Sequence, residues 1–149
     1  MAHRLHNRLP RWHRRAIYIL TLLLVVSGAS WLVVVYSLAP PGDPTPAPHP
    51  LAGPLLAAHG VAAYVALFAY ALVGHAHMRT GWRVPALRSA GFWVVTTIAA
   101  LALTGLGLYY VVAESSVALL RWTHVAVGTL LPLWLALHIS RGRREAKRP

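Results

Sequence analysis

Apolar positions in this chain neither alternate nor recur every third or fourth residue; they run on in long blocks. Four blocks stand out, at about 16–38, 55–78, 90–113 and 117–139. Each is at least as long as the roughly 20 residues a helix needs to cross the hydrocarbon layer. Backbone amides and carbonyls find no water there, so every block is predicted to be helical. Short connections after the second and third blocks favour antiparallel neighbours. The pattern therefore predicts an all-α fold: one integral membrane four-helix bundle of up-down topology over 1–149. No internal repeat stands out.

Polar residues punctuate the blocks unevenly, and that sets an orientation. Arg4, Arg8, Arg11, Arg14 and Arg15 precede the first block or open it. Arg79, Arg83 and Arg88 lie between the second and third, and Arg141, Arg143, Arg144, Lys147 and Arg148 fill a basic tail at 140–149. The segment 39–54 contains PPGDPTPAPHP and no Lys or Arg, which predicts an extended, proline-rich loop. Only Arg121 falls on that loop's side, so 13 of the 14 basic residues share the other side. The positive-inside rule makes that side cytoplasmic, both termini included, and the loop periplasmic. The first block is read as a span and not a signal peptide. It exceeds an h-region of about 7–15 residues, and Pro40 and Pro41 directly follow the small-residue stretch SLA.

Composition agrees with a membrane domain. The chain is 57% hydrophobic and 11% charged, where a soluble domain carries about a quarter charged residues. A net charge of +11 would suit nucleic acid, but the basic residues sit between apolar blocks with no aromatic-basic groove. Nucleic acid is therefore excluded as the main ligand. Cysteine is absent, which excludes disulfides, thiolate metal sites and thioether-linked haem. Histidine, with nine copies, is the abundant ligand type.

The histidines fall in layers. The second and fourth blocks run in the same direction, from periplasm to cytoplasm. One carries His59 near its outer end and His75 and His77 near its inner end; the other carries His124 and His138. His124 and His138 are 14 residues apart, which on a helix returns to within about 40° of one face. His59 and His77 are 18 residues apart, close to five whole turns, whereas His75 lies about 160° from that face. Rotation favours His77 as the inner residue, and depth favours His75. His13, at the cytoplasmic start of the first block, competes for the same layer. Pro132 is expected to kink the last helix between its two histidines.

Two facing imidazoles per layer suit haem iron, which takes one axial histidine on each side. Zinc or copper would recruit further ligands, and no carboxylate or thiol lies deep in the blocks. The expected sites are thus two haem b groups, with His59 and His124 as ligands of the outer iron and His77 and His138 of the inner. Arg121, one turn before His124, is a candidate partner for an outer propionate, and Arg79 and Arg141 for an inner one. Small residues at Ala62, Ala63 and Ala66, at Gly128, and at Thr97, Ala100, Thr104, Gly105 and Gly107 would make room for a flat macrocycle or simply let helices approach. Trp82 and Trp122 read as interfacial anchors. Tyr109 and Tyr110 read as belt residues or the lining of a quinone pocket.

THVAVGTLLPLWLALHIS, WHRRAIYILTLLLVVSG with His13 and Gly28, LLAAHG with His59, and HAHMRTGW with His77 together resemble a known family. It is that of the small di-haem b-type cytochromes of the bacterial inner membrane, which includes the anchor subunits of hydrogenases and formate dehydrogenases. The resemblance covers all four blocks. It implies a transmembrane electron-transfer subunit, more a carrier than a catalyst, in the inner (plasma) membrane. Its implied partners are a quinone or a haem protein, with membrane lipid around it and a larger complex as a possible parent. A cofactor-free membrane scaffold or assembly subunit is the alternative expectation, and a small metal or proton transporter a third.

Overall fold

The computed structural model describes residues 10–38, 49–81, 85–110 and 114–145, without the side chains at 75, 76, 79–81, 86, 114 and 115. His75 and Arg79 as ligand or propionate candidates, Trp82, and the loop at 39–48 therefore lie outside what is described. Four helices make up the described chain: α1 Arg11–Ser37, α2 Ala52–Gly81, α3 Pro85–Tyr110 and α4 Glu114–Glu145. No strand occurs among the described residues. Each helix contains a stretch long and apolar enough to cross a membrane: Arg11–Ser37, Ala52–Gly74, Leu87–Tyr110 and Ser116–Glu145. The protein is an all-helical, multi-pass membrane protein.

Local chemistry explains the helix ends. Pro10 precedes α1, and its carbonyl accepts from the Arg14 amide at 3.2 Å. Pro85 opens α3, where a missing amide proton costs nothing because the first turn has no intrahelical acceptor for it. Arg143 and Arg144 in the last turn of α4 meet the negative end of the helix dipole. Pro132 removes one hydrogen bond inside α4, yet the helix continues through it to Glu145.

The described chain forms two units. One spans Arg8–Gly74 and so pairs α1 with most of α2; the other holds the end of α2 from His75, together with α3 and α4. Within the second unit the contacts pair Arg141 with Ser89, His138 with Gly91, Trp134 with Trp93 and His124 with Gly105. Numbers that rise along α3 meet numbers that fall along α4, with steps that agree to within two residues, so the two helices are antiparallel. In the first unit Thr21 meets Tyr70 and Ser27 meets His59, which makes α1 and α2 antiparallel as well.

Packing inside each hairpin is thin. The buried apolar residues are Ile17, Val34, Ala66, Val73, Ala90 and Leu131, and Thr21 and Thr97 are each 6% exposed. Large apolar side chains such as Leu22, Phe68, Leu103 and Leu119 stand mostly exposed. In hydrocarbon that arrangement costs nothing, because lipid tails are as apolar as leucine. Helix association then rests on close packing of small residues and on interhelical hydrogen bonds.

Candidate intramembrane histidine sites

Each hairpin carries the same local construction. On α1, Ser27 and Gly28 face His59 of α2. The Ser27 hydroxyl lies 2.9 Å from His59 Nδ1, and a Cβ added at Gly28 would stand 3.2 Å from His59 Cε1. On α3, Thr104 and Gly105 face His124 of α4. The Thr104 hydroxyl lies 2.8 Å from His124 Nδ1, and a Cβ at Gly105 would stand 3.5 Å from His124 Cε1. In both cases a hydroxyl residue followed by glycine receives a histidine edge. The glycine removes the side chain that would hold the ring away, and the hydroxyl gives the ring a polar partner where no water is at hand.

A second rung lies further along the α3–α4 hairpin. Gly91 is 14 residues before Gly105, and His138 is 14 residues after His124. Equal spacing on two antiparallel helices puts Gly91 under His138, with 3.7 Å from an added Cβ to His138 Cε1. The rungs are about 21 Å apart along the axis. Among the described residues no hydroxyl hydrogen-bonds to Nδ1 of this ring. His138 instead meets His77 edge to face, with ring centroids 5.9 Å apart and planes at 81°. The Nδ1 atoms of both rings are buried without a hydrogen-bond partner.

The other nominated residues fall as follows. His59 and His124, expected to share an iron, belong to different units, and each is accounted for within its own hairpin. His13 stacks on Trp12 at 3.6 Å, and its Nδ1 is also buried without a partner. Arg121 is half-buried on α4. Arg141 is exposed and donates to the Ser89 hydroxyl at 3.3 Å. Trp93 and Trp134 stack at 5.6 Å with planes at 13°, one helical turn from His138 on α4. Thr104, Gly105 and Gly28 carry a sequence signal as small residues. Ser27 and the pairing of each hydroxyl with a particular ring carry none, because they depend on the register between helices.

The family whose model matches the chain is the opacity-associated protein A N-terminal motif, over residues 5–26. The match covers 22 of 149 residues and ends within α1. No curated protein and no solved structure matches the chain. These findings overturn the resemblance to the di-haem b-type cytochromes. They also correct the expectation of a transmembrane electron-transfer protein with two bis-histidine haems. Among the described residues no group of three or more His, Cys, Asp or Glu gathers into a metal site. The resemblance rested on apolar helices with spaced histidines, a pattern that is not specific to one family. Apolar helices with spaced histidines also arise when imidazoles pack against hydroxyls and glycines of a neighbouring helix, as His59 and His124 do here.

Proposed function

We propose that this chain is a multi-pass membrane protein that holds a ligand at an imidazole pair, His77 and His138, and that the ligand is a b-type haem. The pair itself carries the reading: two rings in contact, each with a buried and unpartnered Nδ1. A polar atom buried without a partner costs about 1–3 kcal/mol, so two such atoms side by side call for a function. The donor set supports haem over a bare ion. A structural zinc site wants four protein ligands, whereas haem iron brings four nitrogens and takes histidine axially. Gly91 beneath His138 keeps that side of the ring uncrowded. His77 and His138 would hold the iron, and Arg141, at the same end of the α3–α4 hairpin, would offer a cation to a propionate. When bound, the group would supply an iron centre, while the chain would orient it and exclude water.

The distribution of basic residues supports a place in a bacterial plasma membrane with both termini in the cytoplasm. The test is spectroscopic. The protein is purified in mild detergent from haem-replete cells, and a reduced-minus-oxidised spectrum is recorded. Sharp b-type bands that disappear in His138→Ala and His77→Ala, but persist in His13→Ala, are the expected result. A colourless wild-type protein overturns the proposal.

A second reading, a cofactor-free membrane scaffold, is favoured by a different observation. The Ser27–His59 and Thr104–His124 contacts give two of the intramembrane histidines a packing role that needs no ligand. A colourless, well-folded protein would select it.

A further inference from the structure

We infer that Ser27 and Thr104 are positioning residues: each fixes the tautomer of the histidine it touches, so that His59 and His124 are protonated on Nδ1 and carry their lone pair on Nε2. The argument rests on counting protons. A hydroxyl has one proton to give. Ser27 Oγ lies 2.6 Å from the Leu23 carbonyl, and Thr104 Oγ1 lies 2.7 Å from the Ala100 carbonyl. A carbonyl can only accept, so at these short distances the hydroxyl proton is committed to the residue four back in its own helix. The hydroxyl oxygen is then left as an acceptor towards the imidazole. The ring nitrogen at 2.9 Å in one hairpin and 2.8 Å in the other must donate, and that nitrogen is Nδ1 in both.

The consequence is chemical. A neutral imidazole protonated on Nδ1 presents Nε2 as a base, hydrogen-bond acceptor or metal ligand; the opposite tautomer presents an N–H and can do none of these. Two hairpins of unrelated sequence converge on the same solution, a hydroxyl–glycine pair on the leading helix and a histidine on the following one. This is a repeated local arrangement that the register between helices creates. The inference concerns different rings from the His77–His138 pair and stands whether or not that pair holds haem.

The experiment uses full-length protein in detergent micelles or bilayers, with histidine labelled by nitrogen-15 in both ring positions, and imidazole nitrogen shifts assigned by His59→Gln and His124→Gln. The expected result is a protonated Nδ1 and an unprotonated Nε2 at both residues. Ser27→Ala should change the tautomer ratio at His59 and leave His124 alone; Thr104→Ala should do the reverse. The conservative exchanges Ser27→Thr and Thr104→Ser should keep the wild-type pattern. A wild-type spectrum with protonated Nε2 at either ring overturns the inference, as does an alanine variant that leaves its own histidine unchanged. Should an alanine variant fail to fold, the wild-type spectrum and the conservative exchanges still decide.

Discussion

Gly28 and Gly105 look alike but do not have the same room. A Cβ at Gly28 would meet His59 Cε1 at 3.2 Å, tighter than nearly all real contacts, while a Cβ at Gly105 would meet His124 Cε1 at an ordinary 3.5 Å. The His59 ring cannot simply retreat, because Ser27 holds its Nδ1 at 2.9 Å. Gly28→Ala should therefore lower stability in detergent by about 1–2 kcal/mol, the usual cost of overpacking. Gly105→Ala should be neutral or slightly stabilising, since alanine gains about 1 kcal/mol of helix propensity and meets no obstacle. Thermal unfolding of the two variants side by side checks the difference, and equal effects would refute it. Adding Ser27→Ala to Gly28→Ala frees the ring, so the double variant should lose less than the two single losses together. Sequence nominates the histidines at this scale, because an ionisable residue in an apolar run is conspicuous. It is silent on Ser27, which is an ordinary small residue until the register between α1 and α2 sets it against a ring.

Between α3 and α4 the contacts differ greatly in strength. The Trp93–Trp134 stack is an aromatic pair that adds about 0.5–1.5 kcal/mol beyond the area it covers. A double-mutant cycle with Trp93→Ala and Trp134→Ala should return a coupling of about 1 kcal/mol; strict additivity would mean the rings do not meet. The Arg141–Ser89 hydrogen bond is long, at 3.3 Å, and exposed. Ser89→Ala should therefore shift stability by less than about 0.5 kcal/mol in the same unfolding assay. The existence of the helices is legible in the sequence, because block length and apolarity decide it. Their bounds are less so: α4 continues past the last apolar residue to Glu145, carried by a charged final turn that suits the helix dipole. Pro132 reads as a kink and not as an end, and α4 continues through it, since one lost hydrogen bond does not end a helix whose neighbouring turns remain bonded. The pairing of Gly91 and Gly105 with His138 and His124 was within reach of the sequence. Two 14-residue spacings sit in consecutive blocks, and only their antiparallel alignment had to be supplied.

At the scale of the whole molecule, charge is the quantity that sequence settles best and packing the one it settles least. A family likeness built on apolar runs with spaced histidines gave way, because those features follow from crossing a membrane and from lodging imidazoles between helices, whatever the function. The charge asymmetry has no such alternative source. All 14 basic residues fall outside the segment 39–54 and the α3–α4 connection, only Arg121 lies towards their side, and Asp43 is the single charge in that segment. Holding a Lys- or Arg-rich loop on the cytoplasmic side is favoured over moving it across, and here the first, third and last charged groups all pull the same way. A reporter active only in the cytoplasm, fused after Pro149, should therefore give full signal, and the same reporter inserted in 39–48 should give none. A reporter that works only outside should show the opposite pair. Replacing Arg79, Arg83 and Arg88 by glutamine while placing three lysines in 39–48 weakens the bias at two connections at once. That variant should show mixed or inverted signals, whereas an unchanged pattern would mean that the first helix and the tail alone set the orientation.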